Sequence, residues 1–523
     1  MTDSDPYFET DWAASDLRRA ALRGGTITLV AQGIRVALIM GATMVLARLL
    51  RPSDFGLVAM VAVVIGLVSM FKDMGLSMAT VQREQISRAQ VSTLFWFNAA
   101  VGVGLTLLLA ALSPLIAWIY GEPRLAGISM TLGLAFLFGG LTVQHQALLR
   151  RRMQFGRLAA AEVGGMLFSV IVAIVAALLG AGYWALVVRQ VALALGIAAG
   201  VWLMCGGRPG PPRRRAGVRS LLGFGGHLTA SNLANYLSRN LDKALIGWRW
   251  GAEPLGFYSK AYQLLLLPIH QVNAPVTSVA IPTLSRLQSD PSRYRAYYRR
   301  GILLLVAVGM PVVALLCAEA QRAVQVLLGS QWSEAVPLFR VLAPAAFVGT
   351  FNVATGWVYI STGRTDRQMR WVLFSTALTL IAFAIGLRWG AMGVAVACSA
   401  SFVLLRYPGI VYCFRAAPVT QADLFGALWR PAVASLSAAG LIWFSHHLPL
   451  PRFGALPELI AAGLIYGLLY LGIWHLLPGG RAQLRDIGRI LREMIESRRP
   501  RKEPPAGPGE GGPRGGGVGD AAS

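Results

Sequence analysis

Charge is scarce in this 523-residue chain: 14% of its residues are charged, and only 24 are Asp or Glu against 48 Lys or Arg. Soluble proteins carry about 25% charged residues, so the shortfall excludes an ordinary water-soluble protein of this length. Cysteine is scarce as well. Cys205, Cys317, Cys398 and Cys413 are widely separated, each in or at the end of an apolar run, with no CxxC or Cys/His cluster. That excludes a disulfide framework and a metal site. No HExxH, GxSxG, P-loop or strand-linked GxGxxG motif occurs, so no catalytic residue, metal or cofactor is expected. The net charge of +24 and pI near 10.9 raise the question of nucleic acid. There is no soluble basic domain and no aromatic-basic motif to support such a partner.

What the chain does have is long apolar runs, with a mean hydropathy of +0.56. A helix needs about 20 apolar residues to cross the hydrocarbon of a bilayer. Such runs fall at roughly 26–47, 55–72, 92–120, 124–148, 158–179, 183–205, 221–249, 255–285, 300–318, 335–361, 369–388, 391–414, 429–448 and 456–477. The expected fold is therefore an all-α integral membrane protein of about fourteen transmembrane helices. Met1 to Thr10 is polar and acidic, so the first apolar run reads as a retained span and not as a removed leader.

Basic residues in the connecting segments set the orientation. With a cytoplasmic N-terminus, the inner segments gather Arg18, Arg19 and Arg23, the Arg150–Arg152 cluster, Arg213–Arg215, Arg293 to Arg300, and Arg481 onward. The count is about 34 basic residues inside and about 8 outside, which places both termini in the cytoplasm. Outer segments are short, the longest being the stretch of about 16 residues from Glu319 to Glu334. The expected divisions are 1–25 as a cytoplasmic segment, 26–205 as a first six-helix bundle and 206–220 as a basic linker. There follow 221–414 as a second bundle, 429–477 as two further spans, 481–498 as a basic amphipathic surface helix, and 499–523 as a disordered Pro/Gly-rich tail.

An internal repeat supports the two bundles. Arg51-Pro-Ser-Asp-Phe-Gly-Leu-Val58 follows the first span and Gly251-Ala-Glu-Pro-Leu-Gly-Phe-Tyr258 the seventh, so that Gly56 and Gly256 align at an offset of 200. Gly180-Ala-Gly-Tyr-Trp-Ala-Leu186 pairs in the same way with Trp389-Gly-Ala-Met-Gly-Val-Ala395. Six spans per half make the repeats parallel, a design in which substrate is held between the halves.

Polar and charged groups within spans are costly and mark candidate functional positions. In the seventh span Asn232, Asn235, Arg239 and Asp242 share one helical face, and the spacing predicts an Arg239–Asp242 pair with Lys243 as excess positive charge. Gln32 and Arg35 form the weaker counterpart in the first span, at the same offset of 200 from Asn232 and Asn235. The eighth span carries Lys260, Gln263, His270, Gln271 and Asn273, with Pro268, Pro275 and Pro282 at steps of seven. Proline there predicts a kinked cavity wall. The candidate cationic cavity is thus Arg35, Arg239, Lys243 and Lys260, lined further by Gln32, Asn232, Asn235, Asp242, Gln263, His270, Gln271 and Asn273. Interhelical hydrogen bonding without transport is the competing explanation for the same residues. Gln144, His145, Glu162, Arg189, Arg340 and Arg406 are weaker candidates, and His446 and His447 read as a wet helix end.

Leu46-Ala-Arg-Leu-Leu-Arg-Pro-Ser-Asp-Phe-Gly56, Asp73-Met-Gly-Leu76, Asp242-Lys-Ala-Leu-Ile-Gly247, Pro254-Leu-Gly-Phe-Tyr-Ser-Lys-Ala-Tyr262, Pro282-Thr-Leu-Ser-Arg286 and Arg340-Val-Leu-Ala-Pro344 together resemble the Wzx-type polysaccharide flippases of the MOP exporter superfamily. The resemblance runs from Arg23 to Leu477 and leans to the colanic-acid or exopolysaccharide exporters. It implies two six-helix bundles in a V around a cationic cavity in the bacterial inner membrane. It also implies transport of undecaprenyl-diphosphate-linked oligosaccharide repeat units for exopolysaccharide or lipopolysaccharide synthesis. Expected partners are that lipid-linked substrate, membrane lipid, a polysaccharide polymerase and a chain-length regulator. Asp242 and Asp73 are candidates for ion coupling. The same scaffold also serves lipid II flippases and cation or drug antiporters. A membrane polymerase or ligase would need a large outer loop with catalytic groups, and the outer segments here are short.

Overall fold

A computed structural model describes residues 14–72, 80, 87–206, 210–211, 236–237, 239–415, 417–449 and 454–496. Its regular structure among those residues is helical, which lets every backbone N–H and C=O in hydrocarbon be satisfied within its own segment. The first half consists of α1 (Ala14–Leu49), α2 (Pro52–Ser69), α3 (Arg88–Tyr120), α4 (Arg124–Arg151), α5 (Phe155–Leu178) and α6 (Trp184–Cys205). The second begins with α7 (239–250) and α8 (Ala252–Arg286), followed by α9 (Pro291–Ala318), α10 (Ala320–Leu327), α11 (Ala335–Gly349) and α12 (Val353–Ser361). It ends with α13 (Thr365–Gly386), α14 (Gly390–Leu404) and α15 (Arg406–Phe414). Then come α16 (Gln421–Ser445), α17 (Ala455–Leu476) and α18 (Gly480–Glu496).

Twelve helical stretches among the described residues are long and apolar enough to cross a bilayer. One of them, Thr365–Phe414, is a hairpin: Gly386 packs on Gly393, Arg367 donates to the Tyr412 carbonyl at 3.0 Å, and Trp371 stacks on Tyr412. Gly390, at φ +72°, makes the reversal. The expected seventh span is described only from residue 236 on.

The segment Glu319 to Glu334, expected as an outer loop, holds α10 and a 3₁₀ turn, Ser330–Trp332. The expected span 335–361 is broken between α11 and α12. Arg406 donates there to the Asn352 side chain and, at 3.1 Å, to its carbonyl, so side-chain donors satisfy the break. α8 stays one helix through its three prolines.

The largest core cluster joins the two halves, with α2 lying along α8. A Cβ on Gly56 would lie 1.7 Å from the Ala252 carbonyl oxygen, and one on Gly256 would lie 2.0 Å from that of Pro52. Both glycines and both carbonyls are related by the offset of 200, so the contact is reciprocal, as about a two-fold axis. The final pair α16–α17 packs on α9, where Tyr470 donates to the Ala307 carbonyl at 3.0 Å and Tyr466 to that of Ser435 at 3.2 Å. Leu484 and Ile487 of α18 rest on the same cluster, while Arg481, Arg485, Arg489 and Arg492 face outward.

Candidate functional site

The expected site residues separate into two layers along the interface of the halves, called inner and outer after the orientation expected from the basic residues. The inner layer is polar. Arg35 on α1 pairs with Glu162 on α5, and its Nη2 donates to Gln32 Oε1 at 2.7 Å. Gln32 Nε2 then donates at 2.9 Å to Gln271 Oε1 on α8, in the other half. α1 and α5 run side by side, with Gly24 of α1 on Phe155 at the start of α5, so an arginine eleven residues beyond that glycine meets a carboxylate seven residues beyond that phenylalanine. Both side chains are partly exposed, 25% for Arg35 and 20% for Glu162, while Arg35 Nε has no partner among the described residues. Arg239 and His270 lie within electrostatic reach of each other, and both are exposed. An apolar groove of about 400 Å³, lined by Ile27, Ile34, Ala159 and Val163, runs along α1 and α5 beside the ion pair.

The outer layer is closed. Trp332, fully buried, donates to the Ala47 carbonyl at 2.8 Å and packs edge-on against Phe55 and Phe257, at 5.3 and 5.8 Å. Gln331 donates to the Leu50 carbonyl at 3.0 Å and also to that of Ala47, and Arg48 reaches the Val326 carbonyl at 2.8 Å. The last carbonyls of α1, orphaned by the helix end, are thus capped from the opposite half. Lys260 belongs to this layer. Its Nζ stands 4.3 Å over the Phe55 ring and 3.1 Å from Gln263 Oε1, within electrostatic reach of Arg189.

Asp242 does not pair with Arg239. Its Oδ2 accepts from Tyr258 at 2.7 Å, and the carboxyl is buried, 3% exposed, with Oδ1 unpartnered among the described residues. The i,i+3 spacing permitted a pair with Arg239. Helix α7 instead turns Asp242 onto α8 and leaves Arg239 outward. Lys243 binds Asn240 at 3.2 Å and lies 5.6 Å from the Tyr262 ring. Asn273 is partly buried on α8. Asn232, Asn235 and Asp73 lie outside the described residues.

Several residues were misweighted from sequence. Glu162 is half of the central ion pair, and Gln331 and Trp332 are the outer caps. A tryptophan beside Gly329 in a segment expected to be a solvent loop was the available signal for the caps. Gln144 and His145 belong to the first half's own packing: Gln144 accepts from Thr80 at 3.0 Å, and His145 stacks on Trp202. His446, partly exposed at the end of α16, also has its Nε2 2.7 Å from the buried Glu319 carboxylate.

A family profile described as "Polysaccharide biosynthesis protein" matches residues 45–337, more than half of the chain. The chain belongs to the polysaccharide biosynthesis protein family. This family member is 26% identical over 441 residues to the lipopolysaccharide biosynthesis protein WzxC of Escherichia coli (strain K12), spanning 83% of this chain and 86% of that protein. It is 27% identical over 471 residues to the succinoglycan biosynthesis transport protein ExoT of Rhizobium meliloti (strain 1021), spanning 88% and 92%. In fold it resembles a solved structure of the lipid II flippase MurJ in an inward closed conformation. The TM-score is 0.69 at 13% identity, over 89% of this chain and 99% of that one. The chain is therefore a multi-pass membrane protein with a MurJ-like transporter fold.

Proposed function

We propose that this protein flips an undecaprenyl-diphosphate-linked oligosaccharide repeat unit across the bacterial inner membrane by alternating access of two six-helix halves, with both termini cytoplasmic. Membership of the polysaccharide biosynthesis family supports the cargo class. The arginine pattern supports the orientation. The observation that carries the mechanism is the contrast along the interface of the halves: a polar inner layer bridged by the Gln32–Gln271 bond, and an outer layer sealed by Trp332 and the Gly56–Gly256 contact.

The arginine at the centre suits the headgroup. A diphosphate carries more negative charge than a carboxylate and competes with Glu162 for Arg35, at an effective dielectric far below that of water. Arg239, which the structure leaves exposed, adds a second cation, and Lys243 and Lys260 extend the positive field toward the outer layer. Polar positions Gln32, Asn232, Asn235, Gln263, His270, Gln271 and Asn273 serve the sugars in this reading. The apolar groove beside the Arg35–Glu162 pair has the chemistry of the polyprenyl chain. Glu162, displaced from Arg35, and Asp242, with one oxygen uncommitted, are the candidate coupling carboxyls. A polymerase and a chain-length regulator take the product on the far side.

The test is a deletion strain in which polyprenyl-diphosphate-linked sugars are extracted and assigned to a leaflet by an externally added glycosidase. Complete repeat units held on the cytoplasmic side support the proposal and give the cargo by mass; a peptide-bearing disaccharide would make it a lipid II flippase instead. Repeat units that reach the outer leaflet unpolymerised would overturn it in favour of a polymerase or ligase.

A further inference from the structure

A second cavity, of about 790 Å³, opens at the outer end, where α10 and α11 face α16 and α17. Its volume falls within the range of small-molecule sites. One wall is charged. Glu319, 1% exposed, accepts from Arg322 at 2.7 Å and touches His446 at 2.7 Å, and Arg322 Nε reaches Glu458 at 2.8 Å. Both carboxylates are therefore committed, and Arg322 is neutralised by the two of them. Arg340 lines the same cavity, exposed, with no hydrogen-bond or ion-pair partner among the described residues. Along α17 from Glu458 the lining turns apolar, built from Ala461, Ala462 and Ile465. Outside that lining the exposed face of α17, with Ile460, Leu464 and Leu468, is suited to lipid.

We propose that this cavity binds the net-anionic phosphate headgroup of a lipid in the outer leaflet, with Arg340 as the phosphate contact. A cation finds no free carboxylate there. A water-soluble anion has no use for the apolar lining. A headgroup with the first carbons of its chain matches both the charged and the apolar lining, and the position at the ends of α9, α16 and α17 is at headgroup depth. An anionic phospholipid and the polyprenyl diphosphate carrier share this chemistry. The carrier as occupant rests on the flippase proposal, and the phospholipid does not.

The full chain, reconstituted in phosphatidylcholine nanodiscs, is exposed to photoactivatable phosphatidylglycerol, undecaprenyl diphosphate or phosphatidylcholine, and labelled peptides are mapped by mass spectrometry. Labelling is expected in 319–325 and 455–465 by one or both of the first two probes. It should fall about tenfold in Arg340→Gln, which removes a charge-assisted contact, and recover in Arg340→Lys. Labelling by phosphatidylglycerol alone identifies an ordinary lipid site, and preferential labelling by undecaprenyl diphosphate identifies a carrier site. No labelling of these segments, equal labelling in Arg340→Gln, or equal labelling by phosphatidylcholine would overturn the proposal. Phosphatidylglycerol labelling would persist even if the leaflet assay refuted the flippase reading.

Discussion

The two ends of the interface between the halves are held by different physics. At the outer end, backbone approaches backbone through two glycines, and side chains bond carbonyls across the interface in both directions, Gln331 and Trp332 to the first half and Arg48 to the second. Such a contact is all-or-none, because a helix carbonyl stripped of its cap inside a membrane has no water to replace it. At the inner end, charged and amide side chains meet at partly exposed positions. Those partners can exchange for polar groups of a ligand at little cost. In the proposed function, the inner layer is the one remade by cargo, and the outer layer holds until it is released as a unit.

The comparison breaks first at the glycines. Gly56→Val or Gly256→Val puts side-chain atoms where a backbone oxygen sits. Overpacking costs about 1–3 kcal/mol where neighbours can shift, and here the neighbour is main chain. Either substitution should abolish outer closure and export, measured as loss of polymer at wild-type protein levels in the membrane. Arg35→Ala should also abolish export while leaving the outer end shut. Trp332→Ala comes next. It removes a fully buried ring, worth about 3–5 kcal/mol, and uncaps Ala47. A Leu255→Cys reporter, buried in the native chain, should react with an impermeant maleimide at least about tenfold faster in the Trp332→Ala background, since 1.4 kcal/mol is already a factor of ten. An unchanged labelling rate would show that Trp332 does not hold the outer end.

How much of this was legible beforehand depends on which signal each residue carries. Hydropathy marks the spans because hydrocarbon imposes a length. The repeat was readable because Gly56 and Gly256 each sit where the backbone of the other half approaches too closely for a Cβ, at a fixed offset. Helix periodicity placed Gln32 and Arg35 on one face, where they bond each other and Gln32 reaches the opposite half. Periodicity could not say which partner a side chain takes. Asp242 and Arg239 share a face but diverge, because Tyr258, sixteen residues on, supplies a hydroxyl that no local spacing announces. The Trp332 caps and the Glu319–His446 contact join positions 285 and 127 residues apart. Such contacts become visible only once the fold has brought the ends of different helices together.

Glu162→Gln sharpens the inner side of the comparison more gently. It removes the charge that competes for Arg35 and keeps the shape, so binding of a diphosphate should tighten by a few-fold, in keeping with the modest worth of partly exposed ion pairs. Export should fall if Glu162 must carry a proton or cation through the cycle, and hold or rise if it is only a placeholder. Tight binding with lost export would therefore assign Glu162 to coupling.

The smallest effect belongs to the amide bridge. A hydrogen bond between neutral amides is worth about 0.5–1.5 kcal/mol net. Gln32→Leu, Gln271→Leu and the double variant form a cycle in which the coupling should not exceed that value if the bond exists in only one conformation of the transporter. The useful reading is the sign on the outer reporter. If the bridge steadies the conformation with a closed outer end, each single variant should speed labelling at Leu255→Cys two- to tenfold, a range that 0.5–1.5 kcal/mol spans. The double variant should then add nothing further. Additive effects would mean that the two glutamines act on separate partners, leaving the Arg35–Glu162 pair to respond to cargo without a direct bond to the opposite half.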